Sequence, residues 1–244
     1  MSGLDAVVHL AARPSVFRCL QDPVVPQSVS ASGTLLRLET VLRAEGPPGV
    51  DPASSSVYGA TPSLPKHEDL RSAPISPCEV SKLTAKSYAT AYGVCFGLPM
   101  LALCFFNVYD PLQTAGYASS AVILAFISVA LGGAEFVVHG DGHQTRGFTF
   151  VGSVIEEPSD AVREGVTAPG PFDVAFGIRA SLLDVVADLK SILVIPLPRC
   201  HVAHRAMDVR DFQTSPTRLR ELLPGVEPVP LRAGLEQTLT WLAS

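Results

Sequence analysis

Two residues whose types could do chemistry together, Cys78 and Lys82, stand four positions apart in the sequence. In a helix this spacing places both side chains on the same face. A lysine ammonium favours ionisation of a neighbouring thiol, whose free pKa is about 8.5, and the thiolate is the reactive form. The alternative interpretation is that Cys78 is an ordinary small residue on a helix. Cys78 and Lys82 are therefore a candidate catalytic pair, provided that a helix holds both side chains on one face.

The remaining histidines and cysteines form no comparable constellation. His201 and His204 are spaced as on one helix face, but no third ligand stands near them, so we predict no metal site. His9 is interpreted as a structural hydrogen-bonding residue at a strand end. The cysteines are odd in number and widely spaced, which argues against a disulfide framework and is typical of a reducing cytoplasm. They are Cys19, Cys78, Cys95, Cys104 and Cys200.

Composition and charge exclude two classes of partner. The chain has 244 residues, of which 47% are hydrophobic, and its net charge of −5 comes from scattered charges of both signs. A nucleic-acid binder would carry a basic stripe instead. Residues 118–133 are nearly uncharged, but the run is shorter than the roughly 20 apolar residues of a membrane span, so we predict a buried helix. Met1 is not followed by a basic region, so we expect no signal peptide and a cytoplasmic protein.

The hydrophobic pattern alternates between strand-like and helix-like segments. Residues 5–12 form a continuous apolar run, which predicts a short parallel strand covered on both faces. Helical spacing predicts one helix over 27–45 and, after a proline-rich loop over 60–77, another over 78–97. A buried strand follows over 100–106. The candidate core residues of the first helix are Val29, Leu35, Leu36, Leu38, Val41 and Leu42.

The strand expected just before Ser54 is weak, because Pro52 stands where a central strand needs a backbone donor. The later part of the chain predicts helices over 118–131, 181–193 and 231–243, strands over 135–139 and 146–151, and an extended segment over 194–204. This alternation of strands and helices predicts an α/β fold with a parallel sheet.

Six short segments follow one another in a distinctive order. They are His9-Leu10-Ala11-Ala12-Arg13-Pro14-Ser15-Val16, Ser54-Ser55-Ser56-Val57-Tyr58-Gly59, Ser76-Pro77-Cys78-Glu79-Val80-Ser81-Lys82, Phe106-Asn107-Val108-Tyr109, Gly140-Asp141-Gly142-His143-Gln144-Thr145-Arg146 and Arg205-Ala206-Met207-Asp208-Val209-Arg210. In this order and at these separations they resemble the extended short-chain dehydrogenase/reductases of the UDP-glucose 4-epimerase type. The resemblance covers nearly the whole chain and is loosest at 152–175 and 194–204.

The resemblance implies an incomplete Rossmann-type parallel sheet with a smaller α/β substrate-binding region. Family members begin with a G-x-x-G-x-x-G turn, whose amides and following helix hold the NAD pyrophosphate. This sequence contains no such turn, and its first residues resemble the family's fourth strand, so we expect an N-terminally truncated member. Residues 1–112 with parts of 140–180 are then the remnant of the NAD-binding domain, and 113–139 with 181–244 form the nucleotide-sugar region.

The resemblance also assigns catalytic positions. A 4-epimerase passes hydride from a sugar carbon to NAD and back, and it needs a base for the sugar hydroxyl. The family uses the tyrosine and lysine of Y-x-x-x-K together with a serine at the preceding strand end. The matching residues are Cys78, Lys82 and Ser54. The cysteine sulfur stops short of the place that a phenol oxygen would reach.

Cofactor and substrate positions follow from the same resemblance. The positions that contact NAD in the family match Ala11, Ala12, Ser30, Lys82 and Phe106. Asn107 matches an asparagine that binds the nucleotide-sugar phosphates, and Arg146 and Arg205 match two arginines that clamp the diphosphate, a task suited to the guanidinium fork. For each arginine the alternative is a solvated surface residue, and for Phe106 it is core packing.

Three functional interpretations remain open at the level of sequence. The first is an NAD-dependent UDP-sugar epimerase, and the second is a non-catalytic module that binds a UDP-sugar. The third is a decayed gene product in which the first strand is an exposed, aggregation-prone edge. The helices over 27–45 and 78–96 match those of the family's dimer interface, so we expect a homodimer.

Overall fold

The computed structural model of the protein describes residues 4–13, 16–113, 122–168, 170–203 and 210–242. The described strands are β1 (Val7–Val8), β2 (Gly49–Ser54), β3 (Met100–Phe105), β4 (Val108–Tyr109), β5 (Phe136–His139), β6 (Thr145–Arg146), β7 (Thr149–Phe150), β8 (Pro171–Val174), β9 (Ala180–Ser181) and β10 (Arg199–Val202). The described helices are α1 (Val16–Gln21), α2 (Val24–Pro26), α3 (Gly33–Arg43), α4 (Pro77–Phe96), α5 (Val122–Leu131), α6 (Val151–Glu164), α7 (Leu182–Leu193), α8 (Thr217–Leu222) and α9 (Leu231–Leu242). A π-helical turn over Gln27–Ser32 precedes α3, and a 3-10 turn over Ser55–Tyr58 follows β2.

Four parallel strands form the central sheet, in the order β1-β2-β3-β8. Val7 pairs with Gly49, and Gly49 pairs in turn with Met100 of β3. Ala102 then pairs with Pro171 of β8. Parallel neighbours need long crossover connections, which here contain α3, α4 and α6. The predicted α/β fold with a parallel sheet is confirmed.

Pro52 does not interrupt β2, contrary to the expectation from sequence. Alternate residues of a strand turn their backbone groups to opposite neighbours. The Gly49 amide donates towards β3, whereas the Val50 carbonyl accepts from the amide of His9 on the β1 side. Pro52 is two residues after Val50, so its backbone nitrogen also faces the β1 side. The β1–β2 pairing ends at Val8 and Val50, so no hydrogen bond is required from the nitrogen of Pro52. The ladder between β2 and β3 remains complete.

The first strand is shorter and more exposed than the continuous apolar run predicted. Only Val7 and Val8 are in the strand, whereas the expectation was residues 5–12. Among the described strands β1 pairs with β2 alone. Val7 packs against the α3–α4 cluster, but Val8 is 43% exposed and Leu10 is 68% exposed. The expectation of burial on both faces was therefore wrong, since the side chains alternate and one face of this edge strand is open.

The helix predicted over 27–45 is present as the π-helical turn followed by α3. Leu38 and Val41 are fully buried and pack with Tyr92 of α4. Leu36, which was expected in the core, is 67% exposed. Two residues along a helix correspond to about 200° of rotation, so Leu36 and Leu38 point to opposite sides.

Local sequence signals define both ends of α4. The Ser76 hydroxyl accepts from the Glu79 amide at 3.3 Å, and the Glu79 carboxylate accepts from the Ser76 amide at 3.2 Å. This capping box, with Pro77 at the first helical position, starts the helix. Gly97 ends it in the left-handed conformation. The prediction of a helix over 78–97 is confirmed.

The sequence did not predict α6 or β8. The strand expected over 146–151 is instead the two short strands β6 and β7, and α6 starts at Val151. Gly152 and Pro158 lie within α6, and Pro171 begins β8. Glycine and proline normally argue against a helix interior, so tertiary packing outweighs local preference in α6. Pro171 is the first residue of a strand at the edge of the described sheet, where proline is tolerated.

The apolar run over 118–133 forms the buried helix α5 in its described part. Ile123 and Ile127 are fully buried and pack with Phe136, Val185 and Leu189. This cluster is a second hydrophobic core, separate from the one beneath the central sheet. No described helix is long and apolar enough to cross a membrane.

The helix predicted over 181–193 is confirmed as α7, and it ends in a strained conformation. Its start carries a capping box between Ser181 and Asp184. Its cap residue Val194 has φ 56°, and 85% of the residue is exposed. The left-handed region costs an L-residue about 1–2 kcal/mol, and β-branching makes it less favourable still.

We expect Val194→Gly to stabilise the protein by about 1 kcal/mol, because glycine adopts this conformation without steric cost and little buried surface is lost. Urea unfolding of the variant and the wild type measures the difference. The control is Ile155→Gly, which removes an exposed β-branched residue within α6 and should destabilise by about 1 kcal/mol. A lower free energy of unfolding for Val194→Gly would contradict the interpretation.

Candidate functional site

The carboxyl ends of the central strands form the edge at which open α/β sheets bind ligands. Ser54 is the last residue of β2 and pairs with Phe105, the last residue of β3. Phe105 pairs on its other side with Val174 at the end of β8. Phe106 directly follows β3. The structure therefore brings the sequence-predicted residues Ser54 and Phe106 to one edge of the sheet.

Ser54 starts the turn that leaves this edge. Its hydroxyl oxygen accepts from the Ser56 amide at 3.2 Å and from the Ser56 hydroxyl at 2.9 Å. Both contacts use Ser54 Oγ as the acceptor, so its own O–H can donate. Gly59 ends the turn at φ 44°, where a Cβ would lie 2.0 Å from the Ala73 carbonyl oxygen. Only glycine fits at this position of the Val57-Tyr58-Gly59 segment.

Cys78 and Lys82 lie in the first turns of α4, as their spacing predicted. Burial, followed by a hydrogen bond with the Cys19 thiol, raises the pKa of the Cys78 thiol to about 12. Lys82 acts in the opposite direction but is outweighed. Of the two interpretations that the sequence left open, this environment favours a neutral thiol over a thiolate, because desolvation exceeds the attraction between the two charges. Burial likewise lowers the pKa of Lys82.

Three of the residues expected near NAD lie in the loop after β1 and in the π-helical turn. Ala11 and Ala12 follow β1, and Ser30 is buried in the turn. The Ser30 hydroxyl makes no hydrogen bond with the described residues. A buried hydroxyl and the desolvated Lys82 ammonium fit the polar nicotinamide-ribose end of a dinucleotide. The 244 residues contain no G-x-x-G-x-x-G segment, the turn that holds the pyrophosphate in family members.

Phe106 is completely buried and belongs to the core. Its ring lies 6.2 Å from that of Tyr58 and 5.6 Å from that of Phe212, measured between ring centroids. Core packing alone accounts for this environment. A role in lining the cofactor pocket stays a prediction.

Asn107 adopts an unusual backbone conformation beside β6. Its φ is 38°, in the left-handed region that non-glycine residues rarely occupy. Its amide Nδ2 donates to the Gly147 carbonyl at 3.5 Å, and its own carbonyl accepts from the Thr149 amide at 3.3 Å. Asn107 thus contacts Gly147, the residue that directly follows Arg146 in the sequence. Residues held in strained conformations are concentrated at binding sites.

Arg146, the described member of the predicted arginine pair, lies on β6. Its Nη1 donates to the Thr145 carbonyl at 2.8 Å and to the Arg210 carbonyl at 3.4 Å. The other member, Arg205, lies outside the described residues. Asn107 thus contacts the residues that directly follow Arg146, and the second arginine stays untested.

A buried polar network beneath the edge was missed at the level of sequence. The Tyr58 hydroxyl donates to Asp173 at 2.7 Å, and the Asp173 amide donates to the Glu68 carboxylate at 3.0 Å. The Lys86 ammonium lies 5.9 Å from the centroid of the Tyr58 ring. Burial raises the pKa of Asp173 to about 7. Tyr58 lies in one of the six segments that carry the family resemblance. Asp173 lies in residues 152–175, where the resemblance is loosest, so nothing in the sequence indicated this contact.

A second buried polar cluster lies on the face of the sheet covered by α3. Arg37 forms an ion pair with Asp51 of β2, and both side chains are more than nine-tenths buried. His9 is the next residue in register beside Asp51. Burial raises the pKa of Asp51 to about 6, and burial lowers that of His9, with Arg37 and Lys82 adding to the effect. This ion pair joins α3 to β2, and no local sequence pattern predicts it.

Comparisons with known proteins agree on one family. The model of the NAD dependent epimerase/dehydratase family matches residues 1–165. A UDP-glucose 4-epimerase of Mycolicibacterium smegmatis is 31% identical over 240 residues, which cover 96% of this chain and 75% of that protein.

Solved structures of this kind share the fold. The UDP-N-acetylglucosamine 4-epimerase of Methanobrevibacter ruminantium, in complex with UDP-N-acetylmuramic acid, superimposes with a TM-score of 0.91 at 25% identity, covering 98% of this chain and 76% of that one. The UDP-glucuronic acid 4-epimerase of Bacillus cereus, in complex with UDP-glucuronic acid and NAD, gives 0.87 at 26% identity with coverage of 98% and 76%. This chain thus spans about three quarters of each relative.

The raised pKa of Asp173 predicts a pH-dependent stability. Between its unfolded pKa of about 3.9 and its folded pKa of about 7, the unfolded chain loses this proton and the folded protein keeps it. Stability therefore falls as pH rises through this window. We expect Asp173→Asn to remove this loss, so that the variant gains about 2–4 kcal/mol relative to the wild type between pH 4.5 and pH 8.

Urea unfolding at several pH values measures this relative gain. The control is Tyr58→Phe, which removes the hydrogen bond but keeps the carboxyl group, and which should retain the pH dependence. A constant difference between wild type and Asp173→Asn across the window would show that the carboxyl group is not held protonated.

Proposed function

This chain belongs to the NAD-dependent epimerase/dehydratase family, and we propose from that membership that it binds a UDP-sugar with its substrate-side residues while 4-epimerase turnover is suppressed at the proton-transfer step. The observation that carries the proposal is the Cys78 thiol. It occupies the position at which the family resemblance expects the catalytic tyrosine, and its pKa is raised to about 12.

Substrate binding rests on Asn107 and Arg146. A guanidinium binds phosphate oxygens through two parallel donors, and an asparagine amide adds a neutral donor beside it. The contacts of Asn107 with Gly147 and Thr149 connect it to the segment that directly follows Arg146. We propose Arg205 as the second phosphate-binding arginine. The UDP-sugars bound to the related epimerases support this assignment.

Proton transfer is the limiting element of the proposed chemistry. Oxidation of a sugar hydroxyl requires a base within about 2.6–3.2 Å of its proton, with a pKa suited to the working pH. The neutral Cys78 thiol is a poor acceptor, and Ser54 supplies a hydroxyl that donates rather than a base. Burial lowers the pKa of Lys82, and we propose that its ammonium group orients the hydroxyls of the bound ligand.

NAD is the cofactor that the family implies, and when bound it accepts hydride from the sugar and returns it. In this chain Ala11, Ala12, Ser30, Phe106 and Lys82 are proposed to meet its nicotinamide-ribose end. The buried Ser30 hydroxyl, which has no partner among the described residues, supports this assignment. Residues 1–112 with parts of 140–180 are proposed as the cofactor side, and 113–139 with 181–244 as the sugar side.

Calorimetry with UDP-glucose tests the binding proposal. We expect measurable binding by the wild type and at least tenfold weaker binding by Arg146→Ala, because a charge-assisted hydrogen bond contributes about 1.5–3 kcal/mol. Arg220→Ala, at an exposed position of α8, is the control and should bind as the wild type does. A wild-type protein that does not bind UDP-glucose at millimolar concentration would refute the proposal.

A coupled assay for UDP-galactose, with added NAD, tests the suppression of turnover. We expect no turnover by the wild type at pH 7.5, because the thiol at position 78 stays protonated. Turnover that Cys78→Ala abolishes would contradict this expectation and identify the thiol as the base.

We also propose a homodimer through the helices predicted over 27–45 and 78–96. Leu36 on α3 and Val94 and Phe96 on α4 are large exposed apolar side chains, which soluble proteins commonly bury in an interface. Light scattering after size exclusion should give a dimer mass for the wild type and a monomer mass for Leu36→Glu. Leu131→Glu, an equally polar change at an exposed position of α5, should remain dimeric. A wild-type monomer at micromolar concentration would rule out this assembly.

A further inference from the structure

The β6–β9 ribbon presents Arg146 and a group of polar side chains on opposite faces. In this antiparallel pair Thr145 lies opposite Ser181, and Arg146 lies opposite Ala180. Side chains alternate between the faces of a ribbon, so Thr145 and Ser181 share one face and Arg146 points to the other. Arg179, two residues before Ser181, is on the Thr145 face.

Three side chains on the Thr145 face form a closed set of hydrogen bonds. Arg179 Nε donates to Thr145 Oγ1 at 3.0 Å, and Arg179 Nη2 donates to Asp211 Oδ1 at 2.6 Å. Thr145 Oγ1 in turn donates to the same Asp211 oxygen at 2.9 Å. The hydrogen bonds from Thr145 and Arg179 lower the pKa of Asp211. Asp211 is therefore an ionised acceptor for both partners at neutral pH. We call Thr145, Arg179 and Asp211 the polar lock.

The polar lock holds the backbone at residues 210–211 against β6. Thr145 and Asp211 form a backbone bridge, and the Thr145 amide donates to the Arg210 carbonyl at 2.9 Å. The Arg210 side chain is held separately, since its Nη2 donates to Asp141 at 2.9 Å. The carbonyl oxygen of Arg210 is thus fixed in position relative to the ribbon.

That carbonyl is one of the groups to which Arg146 donates. Arg146 Nη1 bonds the Arg210 carbonyl at 3.4 Å and the Thr145 carbonyl at 2.8 Å. Both acceptors belong to backbone that the polar lock holds in register. A long, flexible arginine side chain loses less conformational entropy on binding when such contacts already restrict it.

We propose that Arg179 and Asp211 are positioning residues for Arg146, which they orient for the diphosphate of the nucleotide sugar by fixing the Arg210 carbonyl. This inference rests on the proposed function, because it presumes that Arg146 binds phosphate. It goes beyond that function by assigning roles to Arg179 and Asp211, which contact Thr145 and each other on the ribbon face opposite Arg146.

Calorimetry with UDP and with uridine distinguishes positioning of Arg146 from a general structural role. We expect Asp211→Asn to weaken UDP binding about tenfold and uridine binding less than twofold, because only UDP carries the phosphates that Arg146 meets. Arg179→Ala should behave alike. The double variant should lose no more affinity for UDP than the weaker-binding single variant, since the two residues act as one unit.

Two further variants sharpen the test. Arg179→Lys keeps the charge but replaces the planar fork of donors with a single ammonium group, so it should weaken UDP binding by an intermediate factor. Glu236→Gln removes an exposed carboxylate that pairs with Arg232 on α9, and it should leave both affinities unchanged. Thermal unfolding of every variant verifies that it is folded.

Several results would overturn the inference. One is an unchanged UDP affinity in folded Asp211→Asn, and another is an equal loss for UDP and uridine. Additive losses in the double variant would show that Arg179 and Asp211 act independently. If the wild type binds uridine and UDP with equal affinity, or binds neither, the proposed phosphate-binding function fails and the positioning role fails with it.

Discussion

The hydrogen bond from Tyr58 to Asp173 is the contact on which the carboxyl edge of the sheet depends. It joins the turn that follows β2 to the end of β8, across more than a hundred residues of sequence, in a fully buried environment. Glu68 accepts from the Asp173 amide, so the long loop before α4 is attached to the same point. Tyr58 is the last residue of the turn that begins after Ser54, so this hydrogen bond anchors the turn. The Phe106 ring packs against the Tyr58 ring.

Burial, more than neighbouring charge, determines the protonation of the groups near this edge. The thiol of Cys78 and the carboxyl group of Asp173 both have raised pKa values, and the ammonium of Lys82 has a lowered one. In each case desolvation is the largest cause, and an attractive neighbour is insufficient to reverse it. A site built in this way disfavours charged side chains around the reacting position. Arg146, the proposed phosphate-binding residue, lies elsewhere, on the β6–β9 ribbon.

The sequence predicted those features that depend on local signals. The helices α4 and α7 carry capping boxes at their starts, and the strand β3 is a clear apolar run, so their limits were predicted to within a few residues. The family resemblance supplied Ser54 and Phe106 as candidates, and the structure places both at one edge of the sheet. The fourth strand, β8, and the contact between Tyr58 and Asp173 could not be predicted, because they depend on packing between distant segments. The protonation of Cys78 could not be predicted, since its spacing to Lys82 carries no information about solvent exposure.

The buried ion pair between Arg37 and Asp51 restricts how this chain can change during evolution. Replacing either residue alone leaves an unpaired charge in the interior, which typically costs 3–5 kcal/mol, whereas replacing both by apolar residues is often neutral. The two positions therefore tolerate joint substitution but not stepwise substitution. Any lineage that carries the pair is separated from an apolar alternative by an unstable intermediate. The pair can thus persist by historical constraint, without any selective advantage of its own.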